Sequence, residues 1–131
     1  MKKSLRNRAM IWLFFVLLCL DRLTKLLFFS VSVVNTGVAF SFFVGNNLFF
    51  LLLGIIFFFG LSWWYWKEPS IGILFLAAGT LGNVLDRIFY GGVIDFIDVG
   101  FWPVFNLADV FLVIGVVLLL RQEFLRSKSS L

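Results

Sequence analysis

The chain has no histidine, one cysteine and only seven acidic residues among 131. Without histidine it assembles no Ser/His/Asp triad and none of the histidine ligand sets that serve zinc peptidases. A lone cysteine closes no disulfide within the chain and supports no thiolate metal cluster. Charged residues make up 14% of the total, against 62% hydrophobic and 20% aromatic. The mean hydropathy of +1.06 exceeds what a soluble domain of this length can hide in its core. The composition therefore describes an integral membrane protein, and with histidine absent and cysteine single a carboxylate dyad is the best hydrolytic apparatus the chain can assemble.

A membrane span needs roughly 20 mostly apolar residues. Four stretches qualify, at about 9–29, 48–66, 71–90 and 104–120, which predicts a single integral membrane domain over residues 1–131 of the all-α class, with four transmembrane helices and no soluble domain. The net charge of +4 does not point to nucleic acid, because the basic residues sit mainly in MKKSLRNR, WKEPS and RQEFLRSK, at the two ends and the middle turn. That placement follows the positive-inside rule and predicts cytoplasmic termini, with the loops around Asn35 to Asn47 and Gly91 to Pro103 facing outward. The basic start and apolar run are compatible with a cleaved signal, and Cys19 suggests a lipidation site. Leu18 is too large for the position before such a cysteine, so the segment reads as a retained first span in which Cys19 packs as a small apolar residue.

Polar residues inside apolar runs carry the functional signal. Asp21 and Lys25 are four apart and share a helical face in CLDRLTKLLFF; they read either as an ion pair locking helices together or as support for an active site. In Phe28 to Phe43 polar and apolar residues alternate at period two until Asn35-Thr36-Gly37, where Asn35 can bond its own backbone; a short strand or an ordinary interfacial loop both fit. The second span is free of charge and ends in the Trp63-Trp64-Tyr65-Trp66 belt. In the third, Gly79, Asn83 and Arg87 recur every four residues, Gly79 and Gly82 admit a close neighbour, and Asp86 and Arg87 either cap and pair at the helix end or support a site. Asp95 and Asp98 lie among Val, Ile and Phe. Asn106 and Asp109 open the fourth span, where acidic residues also suit the helix dipole, while Ala108 leaves space beside Asp109.

Asp95 and Asp109 are the candidate catalytic pair. Two carboxylates at one site do not both ionise cheaply, so one keeps a proton. The ionised member then takes a proton from water while the protonated one polarises a scissile carbonyl. Thirteen residues separate the two, enough for the end of the third span and the start of the fourth to face each other.

Asp21-x-x-x-Lys25, Asn35-Thr36-Gly37-Val38-Ala39-Phe40, Gly79-x-x-x-Asn83-x-x-Asp86-Arg87, Val93-Ile94-Asp95-Phe96-Ile97 and Phe105-Asn106-Leu107-Ala108-Asp109 occur in the order seen in lipoprotein signal peptidase, also called signal peptidase II, and the chain resembles that family across all four spans. The resemblance implies a multi-pass aspartyl protease of the bacterial inner membrane, acting near its outer face. It implies removal of the signal peptide from prolipoproteins just before a diacylglyceryl-modified cysteine, and inhibition by globomycin-type cyclic peptides. Asp95 and Asp109 match the family's catalytic aspartates; Asp21, Lys25, Asn35, Gly37, Ala39, Gly79, Asn83, Asp86, Arg87, Asn106 and Ala108 match its supporting residues. No metal or other cofactor is implied. The expected partners are lipid-modified prolipoproteins and membrane lipids, with the chain acting as a monomer.

Only nine residues separate Lys25 from Asn35, and the link from Asp98 to Asn106 is also short. Many relatives have a longer first link that builds a small extracytoplasmic β-cradle, so a reduced cradle is expected here. The competing reading is a small four-span transporter or proton-coupled exporter, in which acids bind cations or protons; such acids belong near mid-membrane, whereas these cluster at the outward ends of the spans. A noncatalytic assembly subunit has no use for two aspartates in such apolar surroundings.

Overall fold

The computed structural model describes residues 2–37 and 45–130, with side chains from residue 10 onward. Four helices run α1 (Lys2–Leu27), α2 (Asn47–Lys67), α3 (Ile71–Tyr90) and α4 (Leu107–Ser129). Two short strands, β1 (Val33–Asn35) and β2 (Val93–Asp95), pair antiparallel with Val33 opposite Asp95, Val34 opposite Ile94 and Asn35 opposite Val93. A 3-10 turn at Phe29–Val31 carries the chain from α1 into β1. Among the described residues of the expected alternating arm from Phe28 to Phe43, Val33–Asn35 is strand and the first residues form this turn; residues 38–44, with Ala39, lie outside the described ones.

The central element is α3, which packs against α1, α2 and α4. Within their most apolar windows α3 is 67% buried and α2 only 6%, so α2 presents nearly its whole surface outward. Leu61 of α2 meets Ile73, Leu76 and Ala77, while Leu17 of α1 and Phe111 of α4 close on Ala78. Trp63, Trp64 and Trp66 are exposed at the Lys67 turn, where the aromatic belt was expected. Cys19 is also exposed, on the outer face of α1, rather than packed inside. Among the described residues, α2 and α3 are long and apolar enough to cross a membrane by length and composition alone; α1 and α4 carry charges within their apolar lengths.

Glycine sets the closeness of α3 to its neighbours. A Cβ at Gly79 would lie 2.5 Å from the Ala108 carbonyl oxygen, and one at Gly82 would lie 2.5 Å from Asp21 Oδ2. Small residues that let helix backbones approach this closely are the main source of helix association where the surroundings are already apolar. Gly91, at φ 72°, ends α3 in the left-handed conformation and turns the chain into β2. The fourth helix begins at Leu107, three residues after the expected span, because Phe105 is held by Ile97 in an antiparallel bridge. It then runs past Leu120 through the basic tail to Ser129.

Gly79→Ala should destabilise the protein by about 1–3 kcal/mol, since the obstruction is backbone and cannot rotate away. Gly60→Ala on α2 meets nothing within 4 Å and should leave the melting temperature in detergent unchanged or slightly raised. Thermal unfolding of the two variants beside the parent checks the pair.

Candidate active site

The first turn of α4 fixes one aspartate. Asn106 has extended backbone and caps the helix: its side-chain oxygen accepts from the Asp109 N–H at 3.0 Å, and Asp109 Oδ2 accepts from the Asn106 N–H at 3.1 Å. This reciprocal capping box satisfies two amides that a helix start leaves open. It also locks the Asp109 carboxylate, whose other oxygen accepts from Asn83 Nδ2 of α3 at 3.0 Å.

The second aspartate ends β2. Asp95 Oδ1 accepts from Asn106 Nδ2 at 2.8 Å and Oδ2 from Asn35 Nδ2 at 3.2 Å. Asn106 Nδ2 also donates to Asn83 Oδ1 at 3.0 Å. Three asparagines from α3, β1 and the α4 cap therefore tie both aspartates into one hydrogen-bonded network. Asn35 is aimed by its own turn, its Oδ1 accepting from the Gly37 N–H at 3.0 Å.

Beneath lies a buried ionic cluster. Asp21 Oδ2 is 2.6 Å from Arg22 Nη2 and 3.1 Å from Lys25 Nζ; Asp86 Oδ1 is 2.7 Å from Arg22 Nη2, and its Oδ2 is 2.6 Å from Lys25 Nζ. Asp21 and Asp86 are fully buried and Lys25 nearly so. Arg22 also donates to the Gly82 carbonyl at 2.8 Å, and Lys25 to Asn83 Oδ1 at 3.2 Å. The free carboxylate oxygen of Asp21 accepts from the Ala108 N–H at 3.0 Å, and Asp86 Oδ2 from the Ile94 N–H at 3.0 Å.

The two aspartates open on a cleft of about 420 Å³. Asn35, Gly37, Asn83 and Arg87 supply its polar lining, and Trp102, Pro103, Val104, Phe105, Leu112 and Val113 its apolar wall. Arg87 bounds one side, donating to the Gly37 carbonyl at 2.7 Å, the Thr36 carbonyl at 3.4 Å and Asn47 Oδ1 at 3.1 Å. It joins the β1 turn to the start of α2. An apolar groove of about 350 Å³ with Phe50, Leu53, Gly54 and Phe57 along it shares Asn83, Arg87 and Leu112 with the cleft.

Asp95 is 3% exposed. Burial first, and the neighbouring Asp109 second, push its pKa from 3.8 to about 7; the amides of Asn35 and Asn106, and Lys25, pull the other way. Near neutrality this carboxyl is as often protonated as not.

Asp95, Asp109, Asn35, Asn83 and Asn106 thus join in one hydrogen-bonded network, and Arg87 and Gly37 border the same cleft. Asp21, Lys25 and Asp86 form the layer below, while Gly79 and Ala108 serve the approach of α3 to α4. Asp86 pairs with α1 and not with its neighbour Arg87. Asp98 is exposed and accepts from the Gly100 N–H at 2.8 Å in a surface turn. Two contributors escaped the sequence reading. Arg22 was visible as a charge inside a span, but its position beside Asp21 gave no sign that it reaches α3. Asn47 carried no signal beyond being a polar residue at a helix start.

Residues 13–125 match the family described as signal peptidase (SPase) II. The chain is 42% identical over 101 residues to the lipoprotein signal peptidase of Syntrophomonas wolfei, covering 73% of this chain and 68% of that protein. It is 39% identical over 113 residues to that of Thermodesulfovibrio yellowstonii, covering 79% and 76%. Among solved structures, a bacterial membrane enzyme determined by the in meso method at 2.3 Å superposes with a TM-score of 0.82 at 28% identity, covering 93% of this chain and 90% of that one. A second, at 1.9 Å, gives 0.71 at 26%, covering 87% and 91%.

The raised pKa of Asp95 has a sign for stability. Between pH 4 and 7 the folded state holds a proton that the unfolded chain has released, so stability falls as pH rises, by up to about 1.4 kcal/mol per unit, and levels off above 7. Asp95→Asn removes that dependence. Melting curves at pH 5 and pH 8 should show a smaller loss for the variant, which should melt higher than the parent at pH 8.

Proposed function

The chain belongs to the signal peptidase II family, and from that membership and the joined aspartates we propose that it is an aspartyl endopeptidase removing the signal peptide from diacylglyceryl-modified prolipoproteins, just before the lipidated cysteine. The observation that carries the reading is that Asp95 and Asp109, from different elements, share Asn106 and border one cleft. With a pKa of about 7, Asp95 suits the proton-bearing member.

In the proposed reaction Asp109, ionised, takes a proton from a water whose oxygen attacks the carbonyl carbon before the cysteine. Asp95 gives its proton to the carbonyl oxygen, forming a neutral gem-diol. Collapse of the diol breaks the C–N bond; the proton held by Asp109 passes to the leaving nitrogen and a hydroxyl proton returns to Asp95. The products are a free carboxyl end on the signal peptide and a new amino terminus on the lipidated cysteine. The asparagines keep both carboxyls in place throughout, which is where such sites gain most of their rate.

Placement in the bacterial inner membrane follows the same reading. Four helices cross it with both termini cytoplasmic, as the Lys67 turn and the basic end of α4 support through the positive-inside rule. The dyad then lies near the outer face, and the short strands form the reduced cradle. The apolar groove beside α2 suits the hydrophobic part of a substrate whose lipid remains in the bilayer. A monomer carries every named residue, and globomycin-type cyclic peptides would compete for the cleft. A transporter is less well supported, because Asp21 and Asp86, toward the outward ends of α1 and α3, are matched by Arg22 and Lys25 and so have no free charge for a cargo ion.

Incubation of the purified protein with a diacylglyceryl prolipoprotein should yield the shortened product. Asp95→Asn and Asp109→Asn should each lower the rate by roughly 10³-fold or more while remaining folded. Full activity in either variant would overturn the assignment, and equal cleavage of substrate lacking the lipid would overturn the proposed selectivity.

A further inference from the structure

The two buried carboxylates of the ionic cluster hold corresponding points of the site above. Asp86 Oδ2 accepts from the N–H of Ile94, the residue before Asp95. Asp21 Oδ1 accepts from the N–H of Ala108, the residue before Asp109. Neither amide is bonded within its own element. Ile94 pairs with Val34, but its N–H points away from β1 to Asp86, and Ala108 lies in the first turn of α4, where amides have no intrahelical acceptor. The backbone just ahead of each aspartate is therefore positioned by a carboxylate from elsewhere, one on α3 and one on α1.

A single nitrogen links the two. Arg22 Nη2 donates to Asp21 Oδ2 at 2.6 Å and lies 2.7 Å from Asp86 Oδ1 as an ion pair without a hydrogen bond, and its Nε donates to Asp21 as well, at 3.2 Å. Lys25 bridges the same pair from the other side. Resting on the aspartyl reading above, we propose that Arg22 is a positioning residue for the reaction. By yoking Asp21 to Asp86 it fixes the spacing and orientation of Asp95 relative to Asp109, although it touches neither.

A spacing fault between two groups that share a proton lowers the rate of the chemical step without changing how substrate binds, and displacements of about 1 Å cost on the order of 100-fold. Arg22→Gln should therefore lower kcat for prolipoprotein cleavage roughly 10- to 100-fold with KM within about twofold. In the same protein, without substrate, hydrogen exchange at the Ile94 and Ala108 amides should quicken together, each by roughly tenfold or more. Arg22→Lys keeps a cation but loses the rigid fork, and should recover part of the loss in both readouts. It also carries the test if Arg22→Gln fails to fold: kcat should then fall several-fold at unchanged KM, with both amides less protected. Parent-like exchange at both amides, or a loss confined to KM, overturns the proposal. The exchange measurement stands apart from catalysis, so a failure of the aspartyl reading would show as cleavage surviving Asp95→Asn, and a failure of this one as amides indifferent to Arg22.

Discussion

Asp21 and Asp86 are buried without access to water, and the fold tolerates them because Arg22 and Lys25 are placed against both. Leaving a charge of this kind without its counterpart costs about 3–5 kcal/mol, so the cluster is a strong constraint on how α1 meets α3. The constraint passes outward through backbone amides. Asp21 reaches the first turn of α4, Asp86 reaches β2, and Arg22 holds the carbonyl of Gly82 between them. The close approach at Gly79 and Gly82 exists on the same side of α3, because a side chain at either position would push away the groups that complete the cluster or the helix that carries Asp109.

Above that base the same atoms serve the fold and the proposed site. Asn106 starts α4 and donates to Asp95; Asp109 closes the capping box and borders the cleft. Ionised Asp95 opposes stability, since burial beside Asp109 holds its carboxyl protonated to about pH 7. Such a group is a poor choice for a core and a good one for an acid working near neutral pH. Its cost is offset by two amide donors and by a rigid surround, which leaves the aspartates little freedom to drift from their relative positions.

Much of this was legible in the sequence because polar residues in apolar runs have few reasons to be there. Asp95, Asp109, Asn83 and Asn106 stood out on those grounds, and the four-residue spacing of Asp21 and Lys25 correctly placed them on one face, 3.1 Å apart. The spacing of Asn106 and Asp109 suited a helix start, and the capping box shows that this plain role and a place in the network coexist. Asp86 and Arg87 were harder to read: adjacent residues on a helix point about 100° apart, so Asp86 turned to α1 while Arg87 turned to the β1 turn and Asn47. The reach of Arg22 had no sequence signature, because its partners on α3 lie some sixty residues away and are set by tertiary packing. The start of α4 fell later than hydropathy placed it, since Phe105 is apolar yet spent on a bridge to Ile97.

The proposed reaction requires Asp95 and Asp109 to act as a pair that shares one proton, with Asp95 as the acid. The most direct measurement is the pH dependence of kcat/KM for cleavage of a diacylglyceryl prolipoprotein, followed from pH 5 to 9. Loss of the Asp95 proton should produce an alkaline limb with an apparent pKa of about 7, belonging to the pair, beyond which the rate falls roughly tenfold per unit. A rate that stays flat or rises through pH 8 would contradict it.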